Sequence, residues 1–552
     1  MITDSLRIRQ PASAYLPLLV PVAGYGIFIG ESLFAPPSAG WTFVLFLWTV
    51  AAGTFGWWLT TTGGNRLLDW LDRHATGLAV AMIVIAGVAF ITVSVLQARY
   101  FALSAHAEDT AYYSQILWNT LHGHFLSGNV QQARLFNPPV SNDLALHVSP
   151  VLVLGLLPVY ALVPHFLTLL IVRDIVLAAA AWPLFVLARD RIGGTAGVAA
   201  VILYLANPVV IAQGVEAFYL LHLAPLPFFY ALLAFEREDL TRFICWMATA
   251  VAVREDVAIT MAGFGLWALA RRRRRGWAFA GLAFPVAWFA LTTLVIQPAF
   301  GRWGNNVVEI AWAKGSQPRW GLLELVRGNP LWIIDTLRHG GLDYLYRMLR
   351  SVGFVGVAGW EGLVALPGLA ANLALARAFY SGTDPISRFA LLSACALVGA
   401  SVVVVSRIGR RPQWDVRVLA VVALVLLPSA SLMDGVKDAI RSRLALYTVR
   451  NDAAALRDAV GRIPPKASVA APNYLLPAVA SRRELYYVTY LDMYPPARID
   501  YILLDRNSER VTMNPQLRGR YLAWFGTLAG SNEYETVWQR GEYALLSRRA
   551  SD

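Results

Sequence analysis

The chain has 552 residues, of which 57% are hydrophobic and only 15% charged, and its mean hydropathy is +0.51. This much apolar surface excludes a soluble globular protein and predicts a polytopic membrane protein. The formal net charge of +12 does not predict a nucleic-acid partner, because the arginines fall in short clusters beside apolar runs. Such clusters are typical of topology signals and of contacts with anionic lipid head groups.

Apolar runs long enough to cross roughly 30 Å of hydrocarbon, about 20 residues each, recur along most of the chain. The sequence predicts long spans near 14–30, 41–60, 76–97, 166–188, 194–213, 242–270, 276–298, 345–370, 386–406 and 416–432. Two shorter runs, 148–163 and 219–235, span the membrane or enter it in part. We therefore predict an all-α polytopic bundle of about 10–12 transmembrane helices.

Arginine clusters predict how the polar regions are oriented. Arginines before the first span and at Arg66 and Arg73 mark cytoplasmic segments under the positive-inside rule, so the large loop 98–147 is expected to be extracytoplasmic. Arg407 precedes an outward span, which places 433–552 on the same side. We expect a multi-pass protein of the bacterial inner (plasma) membrane with its active face extracytoplasmic.

The middle of the chain leaves one topological question open. The arginines at 189–191 and those at 271–275 cannot both be cytoplasmic under every choice of spans. The sequence does not say which short apolar run fails to cross the membrane.

Near Lys437 the composition changes, and no later run is long enough to span a membrane. The sequence predicts a transmembrane domain over 1–436 and a small extracytoplasmic α/β domain over 437–552. Its predicted helix covers 451–462 and is followed by two prolines. Its β-like runs are 467–471, 485–490, 501–505 and 534–547.

Glu108 and Asp109 stand in a polar, aromatic-rich loop directly after an apolar run. A carboxylate at the membrane boundary is suited to act as a general base or a metal ligand for a lipid-linked substrate. Gln115, Trp118 and His147 are further candidates for substrate binding. Each has an alternative explanation. Glu108 and Asp109 would also favour the N-terminus of a helix. Trp118 would also fit the interfacial aromatic belt, and His147 would fit a histidine at the membrane interface.

Charged residues inside apolar runs each cost at least about 2.5–3.5 kcal/mol near the bilayer centre. Arg254, Glu255 and Asp256 lie in the middle of the run 242–270. Arg254 is about 25 Å along a helix from Arg271, which places the triplet near the outer boundary, at the depth of the acidic loop. We therefore expect the triplet to bind substrate. The alternative is a structural ion pair or a short interfacial loop.

Glu216 and His222 lie between two apolar runs and are candidates to contact a phosphate head group or a metal, although their spacing fits no standard ligand motif. Interfacial loop residues would explain them equally well. Arg173 and Asp174 favour an internal ion pair. No Walker loop or nucleotide-binding glycine motif is present in the sequence, which argues against nucleotide-driven chemistry.

Several segments together resemble a known family of bacterial and archaeal multi-pass membrane proteins that carry a domain of unknown function. The matching positions are Glu108-Asp109 with Gln115, Trp118, Asn119 and Gly123, His147 to Pro150, Leu157 to Tyr160, Phe218 to His222, Arg254-Glu255-Asp256, Ala365 to Pro367 with Asn372, 468–473 and 500–505. The resemblance covers most of the chain from about residue 98. That family is similar in turn to the GT-C superfamily of membrane glycosyltransferases.

The resemblance implies a GT-C-like fold and transfer of a sugar from a polyprenyl-phosphate donor to an extracytoplasmic acceptor. Asp109 matches the acidic residue that acts there as base or metal ligand, and Arg254 would stabilise the leaving phosphate. A Glu-Asp pair replaces the Asp-x-Asp or Asp-Glu pattern, so a divalent metal (Mg²⁺ or Mn²⁺, held by Asp109 and Glu108) stays open. The alternatives are a transporter or flippase of a lipid-linked or small polar substrate and a non-catalytic envelope assembly protein.

Overall fold

The structure is a computed structural model of the 552-residue chain. It describes residues 12–34, 39–103, 106–130, 142–272, 275–300, 331, 334, 336–376, 384–409, 415–431, 452–490, 499–507, 511, 515–529 and 531–549. The predicted domain boundary at 436/437 lies outside these residues.

Helices dominate the described chain before residue 432, because a backbone in lipid must satisfy its own hydrogen bonds. The α-helices there are Leu19–Phe34, Ala39–Trp58, Thr62–Tyr100, Ala107–Leu121, Leu157–Leu162, Phe166–Ala179, Ala181–Arg191, Gly194–Leu205, Pro208–Gly214, Pro225–Glu236, Leu240–Val251, Val257–Met261, Gly263–Ala270, Arg275–Ala278, Phe284–Leu291, Gln297–Ala299, Leu342–Arg350, Leu366–Ala376, Leu391–Ile408 and Val416–Val421. Short 3₁₀ and π turns join several of them.

Among the described residues, five helices are long and apolar enough to cross a membrane, or up to six if one bent pair counts as a span. The five are Gly40–Trp58, Thr62–Tyr100, Phe166–Arg191, Arg275–Ala299 and Arg388–Ile408, and the pair Gly194–Leu205 and Pro208–Gly214 bends by 58°. The shorter apolar helices are Tyr15–Gly30, Leu152–Leu162, Leu220–Glu236, Leu240–Val251, Val257–Ala270 and Val416–Ser431. The predicted helical bundle is confirmed, although several predicted spans are shorter or broken.

Two predicted spans are interrupted for reasons visible in the sequence. The run 242–270 is broken between Val251 and Val257, where three consecutive charged residues leave the helix. The run 345–370 contains a helix that ends at Arg350. Gly353 then adopts a left-handed conformation at φ +58°, which glycine reaches without the strain of a Cβ atom.

The helix Arg388–Ile408 lies at the centre of the bundle, with 94% of its most apolar window buried. Small side chains allow close packing on all of its faces. At Gly399, for example, an added Cβ would lie 2.5 Å from a methyl carbon of Leu232. Arg388 and Arg407 stand at opposite ends of this helix, about 28 Å apart along its axis.

A mixed five-stranded sheet forms the C-terminal part, in the order β2-β1-β3-β5-β4. The strands are β1 Val469–Ala471, β2 Leu485–Tyr487, β3 Tyr501–Asp505, β4 Tyr534–Arg540 and β5 Tyr543–Arg548, with α-helices Ala453–Gly461 and Pro515–Ala529. β1 is parallel to β2 and β3, and β5 is antiparallel to β3 and β4. The predicted small α/β module is confirmed, and its last predicted run is a hairpin that turns at Gly541, φ +57°.

The sheet region contacts the polar loop directly. The backbone N–H of Glu108 donates to Asn473 Oδ1 at 2.7 Å. The Gln115 amide donates to the carbonyl of Arg483 at 2.9 Å. The segments predicted to share one side of the membrane therefore meet at one end of the bundle. Which side this is stays a prediction.

Candidate functional site

Asp109 forms an ion pair with Arg388, 279 residues later in the chain. Asp109 lies in the first turn of the helix Ala107–Leu121, where the partial positive charge of the N-terminus favours a carboxylate. Arg388 begins the central helix. The side chains are 5% and 18% exposed respectively, so the pair is largely removed from solvent.

The ring of Tyr219 joins this pair to the charged triplet. The guanidinium carbon of Arg388 lies 4.2 Å from the ring centroid, and that of Arg254 lies 4.6 Å from the same centroid. Arg254 also donates to the Tyr219 hydroxyl. Both contacts are within cation–π range. We call Asp109, Tyr219, Arg254, Asp256 and Arg388 the Tyr219 cluster.

Arg254 is buried, but the carboxylate that pairs with it is not. Its Nε donates to Asp256 Oδ1 at 2.6 Å, and a terminal nitrogen bonds the other oxygen. The Arg254 side chain is 4% exposed and that of Asp256 is 30% exposed. The cation of this pair is therefore fixed inside the protein, while its counter-charge is partly exposed to solvent.

Glu255 and His147 form a neighbouring pair. His147 Nδ1 lies 3.1 Å from Glu255 Oε1, and the backbone N–H of Val148 donates to Glu255 Oε2 at 3.0 Å. The His147 ring meets the Tyr219 ring edge-on at 6.5 Å. Glu255 thus ties the end of the polar loop to the charged triplet and borders the cluster.

His222 supports the cluster from behind. The backbone N–H of Tyr219 donates to His222 Nδ1 at 3.1 Å, so Nε2 carries the proton and donates to Gln213 Oε1 at 2.8 Å. Gln213 in turn donates to the carbonyl of Ile386 at 2.7 Å, two residues before Arg388. This chain of bonds holds both the aromatic ring and the segment that carries the arginine.

The remaining predicted residues lie at the edge of the cluster or beyond it. Glu216 is buried, and its carbonyl accepts a bond from Arg173. Gln115 bonds Asn129 and the C-terminal part. Trp118 stacks on the ring of His122 at 3.8 Å. Glu108 is buried, and its carboxylate lies 3.9 Å from His106 Nδ1.

Sequence reasoning missed Arg388, Tyr113 and Asp143 as members of this region. Tyr113 meets Tyr219 edge-on at 6.0 Å. Asp143 accepts a bond from the Tyr112 hydroxyl, and its carbonyl accepts from His147 N–H at 2.8 Å. The sequence did contain a signal for Arg388, because it is a single arginine at the start of the apolar run 386–406.

Asp143 is fully buried at the end of the polar loop. Burial raises the pKa of its carboxyl from 3.8 to about 6, and the charge of Glu255 adds to that rise. His147 and the bond from Tyr112 act against it, because both favour the charged form. Burial therefore makes Asp143 easier to protonate than an exposed aspartate.

The described residues do not support the suggested metal site. No group of three or more His, Cys, Asp or Glu side chains within them could hold a metal ion. The Asp109 carboxylate is instead paired with a guanidinium, and two cations would compete for it. The residues present therefore do not fit a divalent ion held by Asp109 and Glu108.

At the other end of the bundle lies a second buried group of charges. Glu236 pairs with Arg191 at 3.4 Å and with Arg271 at 2.9 Å. Glu361 pairs with Arg407 and lies 3.8 Å from Arg271. We call these five residues the Glu361 cluster. It brings together Arg191, Arg271 and Arg407, one arginine from each of the groups 189–191 and 271–275 and one from the end of the central helix.

The model of the family described as "Predicted membrane protein (DUF2079)" matches residues 99–535. The chain belongs to this family. The resemblance predicted from the sequence motifs is confirmed at that level. No curated protein matches this DUF2079 chain.

Among solved structures, the DUF2079 protein is similar to the crystal structure of ArnT from Cupriavidus metallidurans bound to undecaprenyl phosphate. The identity is 14% and the TM-score 0.48, and the match covers 86% of this chain and 99% of ArnT. A similarity of this size does not identify a substrate or an activity.

Proposed function

We propose that this membrane protein transfers a sugar from a polyprenyl-phosphate donor to an acceptor hydroxyl, with inversion at the anomeric carbon. The observation that carries the proposal is the Tyr219 cluster, in which two arginines contact one aromatic ring and each arginine pairs with a carboxylate. An anion-binding group beside a potential base is the minimum that such a transfer requires.

Arg254 is the proposed binding group for the donor phosphate. Its guanidinium is buried, while its partner Asp256 is the exposed member of the pair. A phosphate that approaches the partly exposed Asp256 can replace it and form a bidentate, charge-assisted contact with Arg254. Arg388, on the same ring, supplies a second positive charge. As the bond from the anomeric carbon to the phosphate oxygen breaks, both arginines stabilise the charge that gathers on the phosphate.

Asp109 is the proposed base. In the structure its carboxylate is held by the guanidinium of Arg388. A phosphate that engages Arg388 would weaken this pair and release Asp109 to accept the proton of the attacking hydroxyl. The acceptor oxygen then bonds to the anomeric carbon, and the lipid phosphate leaves with the electron pair of the broken bond.

The direct test is product formation by purified protein in nanodiscs, with a panel of polyprenyl-phosphate sugars and candidate acceptors. We expect the wild type to form a glycosylated product from at least one donor. The matched control is Arg407→Gln, which removes an arginine from a buried ion pair at the other end of the same helix. It should retain transfer per folded molecule.

A transporter or flippase would give a different outcome in the same nanodiscs and in proteoliposomes. Labelled lipid-linked sugar would then cross the bilayer unchanged, and no glycosylated product would form with any donor. An assembly protein would show neither movement nor product. Either result would overturn the proposal.

A further inference from the structure

Two buried oxygen atoms beside the Tyr219 cluster have no hydrogen-bond partner in the described part of the chain. They are the hydroxyl oxygen of Tyr113 and Oδ2 of Asp143. Both residues are 1% exposed. Leaving such a group unsatisfied costs about 1–3 kcal/mol, so each atom needs a partner that the described residues do not supply.

Both atoms lie against the proposed reaction centre. Tyr113 is four residues after Asp109 on one helix, so the two side chains share a face one turn apart. The Tyr113 ring also meets the ring of Tyr219. Asp143 reaches the same ring through His147, whose backbone it binds.

The chemistry of the two atoms complements a polyhydroxylated ligand. A carboxylate oxygen accepts a bond from a hydroxyl, and the phenol both donates and accepts. Asp143 is held in place through its other oxygen by Tyr112, so Oδ2 alone is available to a ligand. Apolar rings line the same region, as Tyr112 and Tyr113 pack edge-on at 5.2 Å.

We infer that Tyr113 and Asp143 form a subsite for the hydroxyl groups of the transferred sugar, next to the phosphate-binding arginines. This inference rests on the proposed function and specifies the part of the donor that lies here. A sugar would satisfy both oxygens at once. The lipid phosphate alone would leave both oxygens unpaired. The subsite therefore distinguishes the sugar-linked polyprenyl phosphate from the sugar-free one.

The test compares binding of two probes to the full-length protein in nanodiscs: a polyprenyl-phosphate sugar and the same polyprenyl phosphate without sugar. Tyr113→Phe removes only an oxygen that has no partner in the described chain, so the fold should tolerate it. We expect it to weaken binding of the sugar-linked lipid about 10-fold, the equivalent of one good hydrogen bond. Binding of the sugar-free lipid should not change.

Asp143→Asn keeps the shape of the side chain and removes its charge, and it serves as the second variant. It should weaken binding of the sugar-linked lipid by about 5- to 10-fold and leave binding of the sugar-free lipid unchanged. Tyr160→Phe is the matched control, because that buried hydroxyl is already bonded to Ser114 at 2.8 Å. It should leave the ratio between the two probes at the wild-type value.

Donors that lack single hydroxyl groups sharpen the comparison. If Tyr113 binds a given hydroxyl, removal of that hydroxyl and Tyr113→Phe together should cost no more than either alone. Equal binding of both probes by wild type and both variants would overturn the subsite, and water would then be the partner of these oxygens. Failure of the wild type to bind either lipid would overturn the proposed function and the subsite with it.

Discussion

The Tyr219 cluster and the Glu361 cluster stand at opposite ends of one buried helix, and the Arg254 pair of the first is built in the opposite way to the second. In the Glu361 cluster the carboxylates of Glu236 and Glu361 are 3% and 1% exposed, while their arginine partners are 24–30% exposed. In the Arg254 pair of the Tyr219 cluster the cation is inside, and its acid is 30% exposed. The Glu361 cluster therefore buries negative charge, and the Arg254 pair buries positive charge. The Asp109–Arg388 pair, at 5% and 18% exposed, buries both.

This difference distinguishes a structural junction that anchors helices to each other from a site that binds a ligand. Arginines can reach past a buried carboxylate to the polar surface, because their long apolar stems pack below a charged head. The Glu361 cluster therefore suits a fixed junction between helices. A buried arginine with an exposed acid can exchange that acid for another anion, and the Tyr219 cluster therefore suits a ligand that carries phosphate.

The largest expected effect concerns Asp109. Asp109→Asn keeps the shape of the side chain but cannot accept a proton, so transfer should fall by about 10²–10⁴-fold. Donor binding should change little, because the phosphate contacts remain. The transfer rate and the donor affinity of the wild type and of Asp109→Asn, measured on the same preparations, test this. Full activity in this variant would remove Asp109 from the mechanism.

Glu361→Gln tests the other side of the comparison. It leaves Arg407 without its buried counter-charge, while Arg271 keeps Glu236, so we expect about 2–3 kcal/mol less stability. The unfolding temperature in detergent should drop, while transfer per folded molecule stays at the wild-type level. A selective loss of turnover in fully folded protein would contradict an anchoring role.

A pH dependence of stability should come from Asp143. Because burial raises the pKa of its carboxyl from 3.8 to about 6, the folded protein holds this proton more tightly than the unfolded chain. Stability from this group is present below pH 3.8 and is lost as pH rises through about 6, a total change of about 3 kcal/mol. Asp143→Asn should reduce the difference between unfolding temperatures at pH 4.5 and pH 7. An unchanged difference would contradict the assignment.

The smallest expected effect concerns Asp256. If this exposed carboxylate competes with phosphate for Arg254, Asp256→Asn should strengthen binding of a sugar-free polyprenyl phosphate by about 3- to 10-fold. Glu255→Gln is a neighbouring control that leaves the Arg254 pair intact. Titration of the lipid into nanodisc-embedded protein measures both. Weaker binding by Asp256→Asn would indicate that the carboxylate positions Arg254 and does not compete for it.

Hydropathy predicted the helical bundle and the C-terminal α/β module, because the cost of burying charge and exposing apolar surface acts residue by residue. The same argument marked Arg254 as exceptional. It could not show that Arg254 and Arg388 face one tyrosine, since that contact joins segments more than a hundred residues apart. The break in the run 242–270 was also missed, because mean hydropathy averages over a turn as short as 252–256.

The structure also informs the topological question that the sequence left open. Arg191, Arg271 and Arg407 converge on two glutamates, so the three arginine groups belong to one end of the bundle. The sequence alone could not establish this, because the side on which each arginine lies depends on which apolar runs bend or fail to cross the membrane.

The most direct test of the central claim measures binding of a polyprenyl phosphate to Arg254→Gln and to Arg407→Gln in matched nanodiscs. If the Tyr219 cluster is the phosphate site and the Glu361 cluster the anchor, Arg254→Gln should weaken binding by about 10- to 100-fold. Arg407→Gln should bind as the wild type does, whatever it loses in thermal stability. Equal loss in both variants, or wild-type binding by Arg254→Gln, would contradict the account.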